Sequence, residues 1–263
     1  MKKYINIFKA TVNDNLQYLS EILLQFVGFA TMMFILANLW SYIYEGENSR
    51  ICGYSLSMMI WYVLFAECLW SVMRNKKLTV QIKSDVAGGN IAYKINKPYL
   101  YPLYVIFKYL GDIFIKAILI VIISIFLGFM FIGKLETFKV ESIPFVLVSA
   151  FLAILLNAFM RVTINLLAFW IEDPSPFMWI FDKIILVFGT IFPIEMFPNT
   201  LQKVLLFSPV YSIVYGPTKL LIEFDINLFF KVILVQVIEL IISISLCFFV
   251  YAKGVKKVNV NGG

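Results

Sequence analysis

Long apolar runs separated by short polar connections dominate this chain, and each run has the length of a bilayer crossing. Residues 22–44 carry no charge, and residues 51–73 carry only Glu67. Residues 104–132 hold Lys108, Asp112 and Lys116 in their first half, and residues 143–171 hold Arg161 alone. A shorter run, 177–193, is interrupted by Asp182 and Lys183, and a last one, 229–251, has Glu239 near its middle. The pattern therefore predicts six transmembrane helices and an all-α membrane protein. Ahead of the first run, Ile5, Phe8, Val12, Leu16 and Leu19 fall on one helical stripe opposite Lys2, Lys3, Asn6 and Lys9. Residues 1–20 thus read as an amphipathic helix lying in the interface, with no cleavable signal peptide.

Residues 74–102 break this pattern as a basic island: Arg74, Lys76, Lys77, Lys83, Lys94 and Lys97 stand against the single acid Asp85. Such a segment stays on the cytoplasmic side, which places both termini there as well. Leu78, Ile82 and Val86 recur at helical spacing, and Gly88-Gly89-Asn90 ends that helix. Between the fifth and sixth runs, residues 194–222 carry Pro198, Pro209 and Pro217 around apolar pieces too short to cross. Pieces of that kind read as a re-entrant hairpin on the outer side.

Composition narrows the function more than the fold. At 61% hydrophobic and 14% charged, the chain of 263 residues is too apolar for a soluble domain. Its formal charge of +6 sits at helix ends, so it is read as topology setting and contact with lipid head groups rather than nucleic-acid binding. Without any histidine, a Ser-His triad, a histidine proton relay and histidine-ligated metals are excluded. Cys52, Cys68 and Cys247 are scattered without metal spacing and read as packing residues. Gly133-Lys134 is followed by Leu135 and lacks the glycines of a phosphate-binding loop, so the chain has no means of hydrolysing ATP. The reading is of a non-catalytic membrane subunit.

Polar residues inside the spans are the candidate functional ones. Ser149, Ala153, Asn157, Arg161 and Asn165 recur every four residues on one helical face. An arginine in lipid costs several kcal/mol, so this face meets protein or water. Glu67 and Ser71, and Gln236, Glu239 and Ser243, make smaller stripes. Two readings stand: interhelical glue, with Arg161 paired to Glu67 or a backbone carbonyl, or the lining of a polar pathway. Asp112 and Lys116, four apart, read as a helix ion pair.

The order of short motifs points to a family. Val86-Ala87-Gly88-Gly89-Asn90-Ile91-Ala92-Tyr93 followed by Lys97-Pro98 resembles the cytoplasmic segment of ABC-2 type permeases, in particular the ABC-2 family transporter protein subgroup. The carboxyl half is similar too, with Phe169-Trp170 before an acidic turn, then Gly189, Pro193, Phe197-Pro198, Pro209, Tyr215 and Pro217. The resemblance implies a transmembrane domain that dimerises with itself or a sister permease and binds two separate ATPase subunits, which hold the ATP and magnesium. It implies a bacterial plasma-membrane exporter working by alternating access on a lipophilic, peptide or lipid-linked cargo. It further implies an ATPase-coupling surface of Lys76, Lys77, Leu78, Ile82, Lys83, Val86, Gly88 and Gly89. By the same resemblance Pro193, Phe197, Pro198, Pro209, Tyr215 and Pro217 would seal the outer side; Glu67, Asn157, Arg161, Asn165, Gln236 and Glu239 are the span residues that the second of the two readings above makes the lining or gate of a pathway. Two other classes remain open: an ion-coupled transporter or channel using Glu67, Arg161 and Glu239, and a scaffold or immunity protein that moves nothing.

Overall fold

The computed structural model describes the backbone of all residues except 18, 46–49 and 262–263, and the side chains of all except 18–25, 46–49 and 258–263. Most of the first expected outer loop, 45–50, and the Leu19 end of the amino-terminal stripe lie outside these. Eleven α-helices follow in order among the described residues: α1 Lys2–Leu16, α2 Leu19–Tyr44, α3 Leu56–Met73, α4 Lys76–Ala87, α5 Asn90–Ile95, α6 Tyr101–Phe131, α7 Ile143–Asn165, α8 Ser175–Ile185, α9 Asn199–Leu205, α10 Gly216–Ile222 and α11 Ile226–Asn261. Wider π turns, Leu186–Ile191 and Tyr211–Tyr215, continue α8 and precede α10.

Five stretches, containing α2, α3, α6, α7 and α11, are long and apolar enough to cross a membrane. The sixth expected crossing is different. α8 and its π turn together run from Ser175 to Ile191, at the short end of what a span takes, and Phe192 turns extended before Pro193. The expected re-entrant segment is a chain of short pieces, comprising a 3-10 turn at Ile194–Met196, α9, the second π turn and α10.

The axis of the fold is α3. Apart from Glu67 and Ser71 its middle and end are apolar all round, and it is accordingly buried from Met58 through Leu64 and from Ala66 through Met73. Helices α2, α6 and α7, the π turns and α10 all pack on it. By contrast, α2, α6, α7 and α11 turn large apolar residues outward, among them Phe34, Ile122, Phe126, Phe151 and Ile242. In water such a surface would be an aggregation site; in lipid it is the solvent-facing side.

Close approach of α3 to α6 depends on one glycine. A Cβ at Gly128 would lie 2.3 Å from the Trp61 ring, whose indole donates to the Gly133 carbonyl at 3.2 Å. Gly128→Ala is therefore expected to cost about 1–3 kcal/mol by overpacking. Thermal unfolding in detergent checks this, and a compensating Trp61→Leu should recover part of the loss.

The amino-terminal helix departs from its expected register. α1 docks on α6 through Tyr4, Thr11 and Asn15, whereas Ile5 and Leu16 of the apolar stripe are exposed. Tyr4 stacks on Phe107, Phe8 meets Phe114 edge-on, and the Tyr4 hydroxyl accepts the Leu100 N–H at 3.0 Å, capping the start of α6. Lys3 also donates to the Pro98 carbonyl. The docked face therefore lies between the two expected ones: Tyr4, Thr11 and Asn15 are buried with Phe8 and Val12 half-buried beside them, while Lys2, Lys3, Asn6 and Lys9 stay exposed.

Cysteines divide similarly. Cys68 and Cys247 are buried, but Cys52 is exposed on a tight turn at φ 50°, so it is not a packing residue.

Candidate functional site

Because α3 runs the length of the bundle, its two ends define two polar clusters about 26 Å apart at the helical rise of 1.5 Å per residue. One lies by the basic island after Met73; the other lies by Tyr54, just before Leu56.

At the basic end, α7 brings Asn157, Arg161 and Asn165 inward, as their spacing predicts, and all three are buried. Arg161 pairs with Asp182 of α8 at 2.7 Å, not with Glu67. Its Nε donates to Asn157 Oδ1 at 3.3 Å, and its guanidinium lies against the rings of Trp70 and Phe181. Asn157 donates to the Tyr109 hydroxyl at 3.0 Å, which in turn donates to the Met73 carbonyl at 2.7 Å. That carbonyl is one of those a helix leaves open at its end, so α3 is capped by α6 and α7 together. Asn165 Nδ2 returns to the Arg161 carbonyl at 2.8 Å. Asp182 is thus the counter-ion of the arginine.

Glu67 takes another side of α3. It accepts from Ser71 at 3.0 Å, its second carboxylate oxygen has no partner among the described residues, and with Ser71 and Arg74 it lines a cavity facing α2 and α6. Asp112 and Lys116 do not serve mainly as a mutual pair. Asp112 accepts from Asn15 at 2.9 Å and Asn75 at 3.3 Å, and Lys116 reaches the Arg74 carbonyl at 3.2 Å. These bonds tie α1, α6 and the α3–α4 junction into one body.

The island itself folds as a helical hairpin, α4 and α5. Gly89 makes the turn at φ +71°, and a Cβ at Gly88 would lie 2.8 Å from the Ser84 carbonyl, so both glycines are required by the geometry. Leu78 and Ile82 are buried, at 3% and 0% exposure, as α4 packs on the end of α7 and the Leu166–Phe169 turn. This corrects the reading of these residues as an outward apolar face: the stripe that marks α4 as amphipathic is used inside the chain. Val86 is half-buried beside them. What α4 and α5 expose instead is Val80, Ser84, Ala87 and Tyr93, flanked by Lys76 and Lys77.

Two ionic ties hold this hairpin. Lys83 bridges to Asp173 in the α7–α8 connection at 2.8 Å. Hydrogen bonds from Lys83 and Ser175 hold the Asp173 carboxyl far below the ordinary carboxylate range. The bridge is therefore complete above the ordinary aspartate value and persists as pH falls past it, until the lowered value is reached. Inside, Asp85 takes Lys94 at 2.6 Å and the Tyr101 hydroxyl at 2.7 Å, joining α4, α5 and α6.

At the far end Lys219 of α10 lies 3.0 Å from Glu195, 2.9 Å from Glu223 and 2.9 Å from the Tyr54 hydroxyl. The Tyr54 and Tyr215 hydroxyls both donate to Glu195, the latter at 2.7 Å. Burial, with Tyr215 and Glu195 beside it, pushes the Tyr54 hydroxyl far above the ordinary tyrosine value, so it remains protonated. Tyr62 donates to the Gly189 carbonyl at 2.8 Å and packs its ring between those of Tyr54 and Tyr215. Of the six residues expected to seal this end, Tyr215 enters the knot directly. Phe197 packs on Phe188 and Phe192, and Pro217 sits in the first turn of α10. Pro193 and Pro198 stand before the 194–196 turn and before α9, while Pro209 lies between α9 and the second π turn.

Gln236 makes a further joint. It accepts from Ser149 at 3.1 Å and donates to the Ser149 and Ser212 carbonyls at 3.0 and 2.8 Å, fastening α11 to α7 and the second π turn. Neither carboxylate oxygen of Glu239 has a partner within the described residues.

Missed in the sequence were Asp182, Tyr109, Asp85, Tyr54, Glu195 and Lys219. For the first, the sequence says only that Arg161 needs an acid, and Glu67, Asp182 and Glu239 all lie in apolar runs as candidates. For the tyrosines there was no signal, since aromatic residues are abundant throughout this chain.

Residues 27–262 match the family described as ABC-2 family transporter protein. No curated protein matches the chain.

Proposed function

Because the chain belongs to the ABC-2 family of transporter proteins, we propose that it is the permease subunit of an ATP-driven exporter, non-catalytic itself and energised by separate ATPase subunits. In this reading it is a multi-pass protein of a bacterial plasma membrane, with the basic end and both termini in the cytoplasm. α8 and its π turn make a fifth, irregular crossing stabilised by Arg161, and the 194–222 segment dips back from the outer face. A second permease, identical or sister, completes the pathway.

The observation that carries the coupling is the α4–α5 hairpin. It presents a small outward patch and is tied by Asp85 to α6 and by Lys83 to the α7–α8 connection. A push on Val80, Ala87 or Tyr93 is thus delivered to three membrane helices as a rigid displacement. ATP-driven closure of the partner subunits would supply that push, and alternating access would follow from α7 and α8 moving against α3.

Purification of the tagged permease in mild detergent, followed by mass spectrometry, tests this. Wild type should bring down an ATPase subunit. Val80→Asp with Tyr93→Asp should lose it by about tenfold or more while keeping the wild-type unfolding midpoint, since both side chains are exposed at 66% and 69%. Leu78→Asp or Ile82→Asp should unfold the chain instead. Absence of any ATPase from well-folded wild type would sink the proposal.

A further inference from the structure

A cavity of about 650 Å³ opens between α2, α3 and α6 at the basic end, floored by Asn15 of α1 and the start of α4. Its walls change character with depth. At the level of the island they are cationic, with Arg74, Lys76 and Lys116; deeper, Phe29, Met32 and Ile120 dominate, with Glu67 and Ser71 on the α3 side. Along α6 the step from Asp112 to Ile120 spans about 12 Å at the helical rise. Among the described lining residues, Arg74, Lys76 and Lys116 stand against Glu67 and Asp112. Among the described residues the second Glu67 oxygen has no hydrogen-bond partner, so the inner wall carries one buried carboxylate beside its apolar side chains.

Gly28 of α2 sits in the apolar half, and a Cβ added there would meet nothing within 4 Å among the described residues. A glycine inside a helix lowers its stability without a close packing partner to justify it, so here its effect is to keep space open.

We propose that this cavity binds a single-chain amphiphile with an anionic head group, taken from the cytoplasmic leaflet, its head at Arg74, Lys76 and Lys116 and its hydrocarbon chain along Gly28, Phe29 and Ile120. The depth order matches a molecule lying in that leaflet, with the charge at the interface and the chain toward the bilayer centre. The orientation rests on the exporter reading above, but the binding does not need the ATPase, and the test is arranged accordingly.

The experiment is binding of tritiated palmitate to the purified permease in phosphatidylcholine nanodiscs, with no ATPase subunit present. Saturable binding is expected, displaced by hexadecyl phosphate but not by hexadecyltrimethylammonium. Arg74→Gln with Lys116→Gln should weaken it about tenfold or more, the size of a lost charge-assisted contact. Gly28→Leu should weaken it comparably while leaving the unfolding midpoint at or above that of wild type. Binding should also survive when phosphatidylglycerol is included in the discs. Equal displacement by the cationic amphiphile, or full binding by a folded Gly28→Leu protein, overturns the proposal. Loss of binding on adding phosphatidylglycerol overturns it as well, assigning the cavity to the bilayer's own anionic lipid. ATPase capture by the Gly28→Leu variant should be unchanged, which separates failure here from failure of the coupling reading.

Discussion

Asp182→Asn is expected to destabilise the chain by about 3–5 kcal/mol, the cost of leaving a buried ion without its partner. The substitution keeps the size of the side chain and removes only its charge. Arg161, 2% exposed in its side chain, then sits among Trp70, Phe181 and Asn157 with no carboxylate. A guanidinium has no neutral form to fall back on. Arg161→Met should cost less, because Asp182 is 26% exposed and can be hydrated when the arginine is gone. Joining the two as Arg161→Met with Asp182→Leu should recover stability relative to Asp182→Asn, since both charges have then left together. Thermal or denaturant unfolding in detergent reads all three. A wild-type midpoint for Asp182→Asn would mean that the ion pair is not what fixes α8 against α7.

The second large effect lies at the other end of α3. Lys219→Met is expected to cost about 3 kcal/mol, as one cation there serves Glu195, Glu223 and the Tyr54 hydroxyl. Without it, two carboxylates face each other across the knot. Glu195→Gln should cost nearer 1 kcal/mol, because a glutamine carbonyl still accepts from Tyr54 and Tyr215 and Lys219 keeps Glu223. The order of the two variants is the informative result, and equal losses would show that Glu223 and Tyr54 add nothing. In the exporter reading, this knot holds the outer side shut by joining the 194–196 turn, α10 and the approach to α3. Lys219→Met should then also raise ATP-independent leak of cargo in proteoliposomes.

Amino-acid order by itself determined that the chain is helical and lipid-facing, where five long helices lie, that Arg161 must face inward, and that residues 74–102 form a separate basic element. These follow from local quantities: run length, the periods of helix and turn, and the cost of charge in hydrocarbon. The same order gave the family resemblance that the match over 27–262 bears out.

Tertiary structure decided partnership and direction. Periodicity placed Leu78 and Ile82 on one face of α4 but could not say that the face turns inward, because an amphipathic helix fits equally well on its own bundle or on a foreign protein. It placed Arg161 in a polar stripe, yet the choice of Asp182 over Glu67 depends on which side of α3 each helix packs against, a matter of helix arrangement that no single segment encodes. The same holds for Glu195 and Lys219, which are far from Tyr54 along the chain and meet only because the π turns and short helices fold back onto the start of α3. The cavity at Gly28 is the extreme case: it is defined by the space between three helices, and a sequence records residues, not the gaps between them.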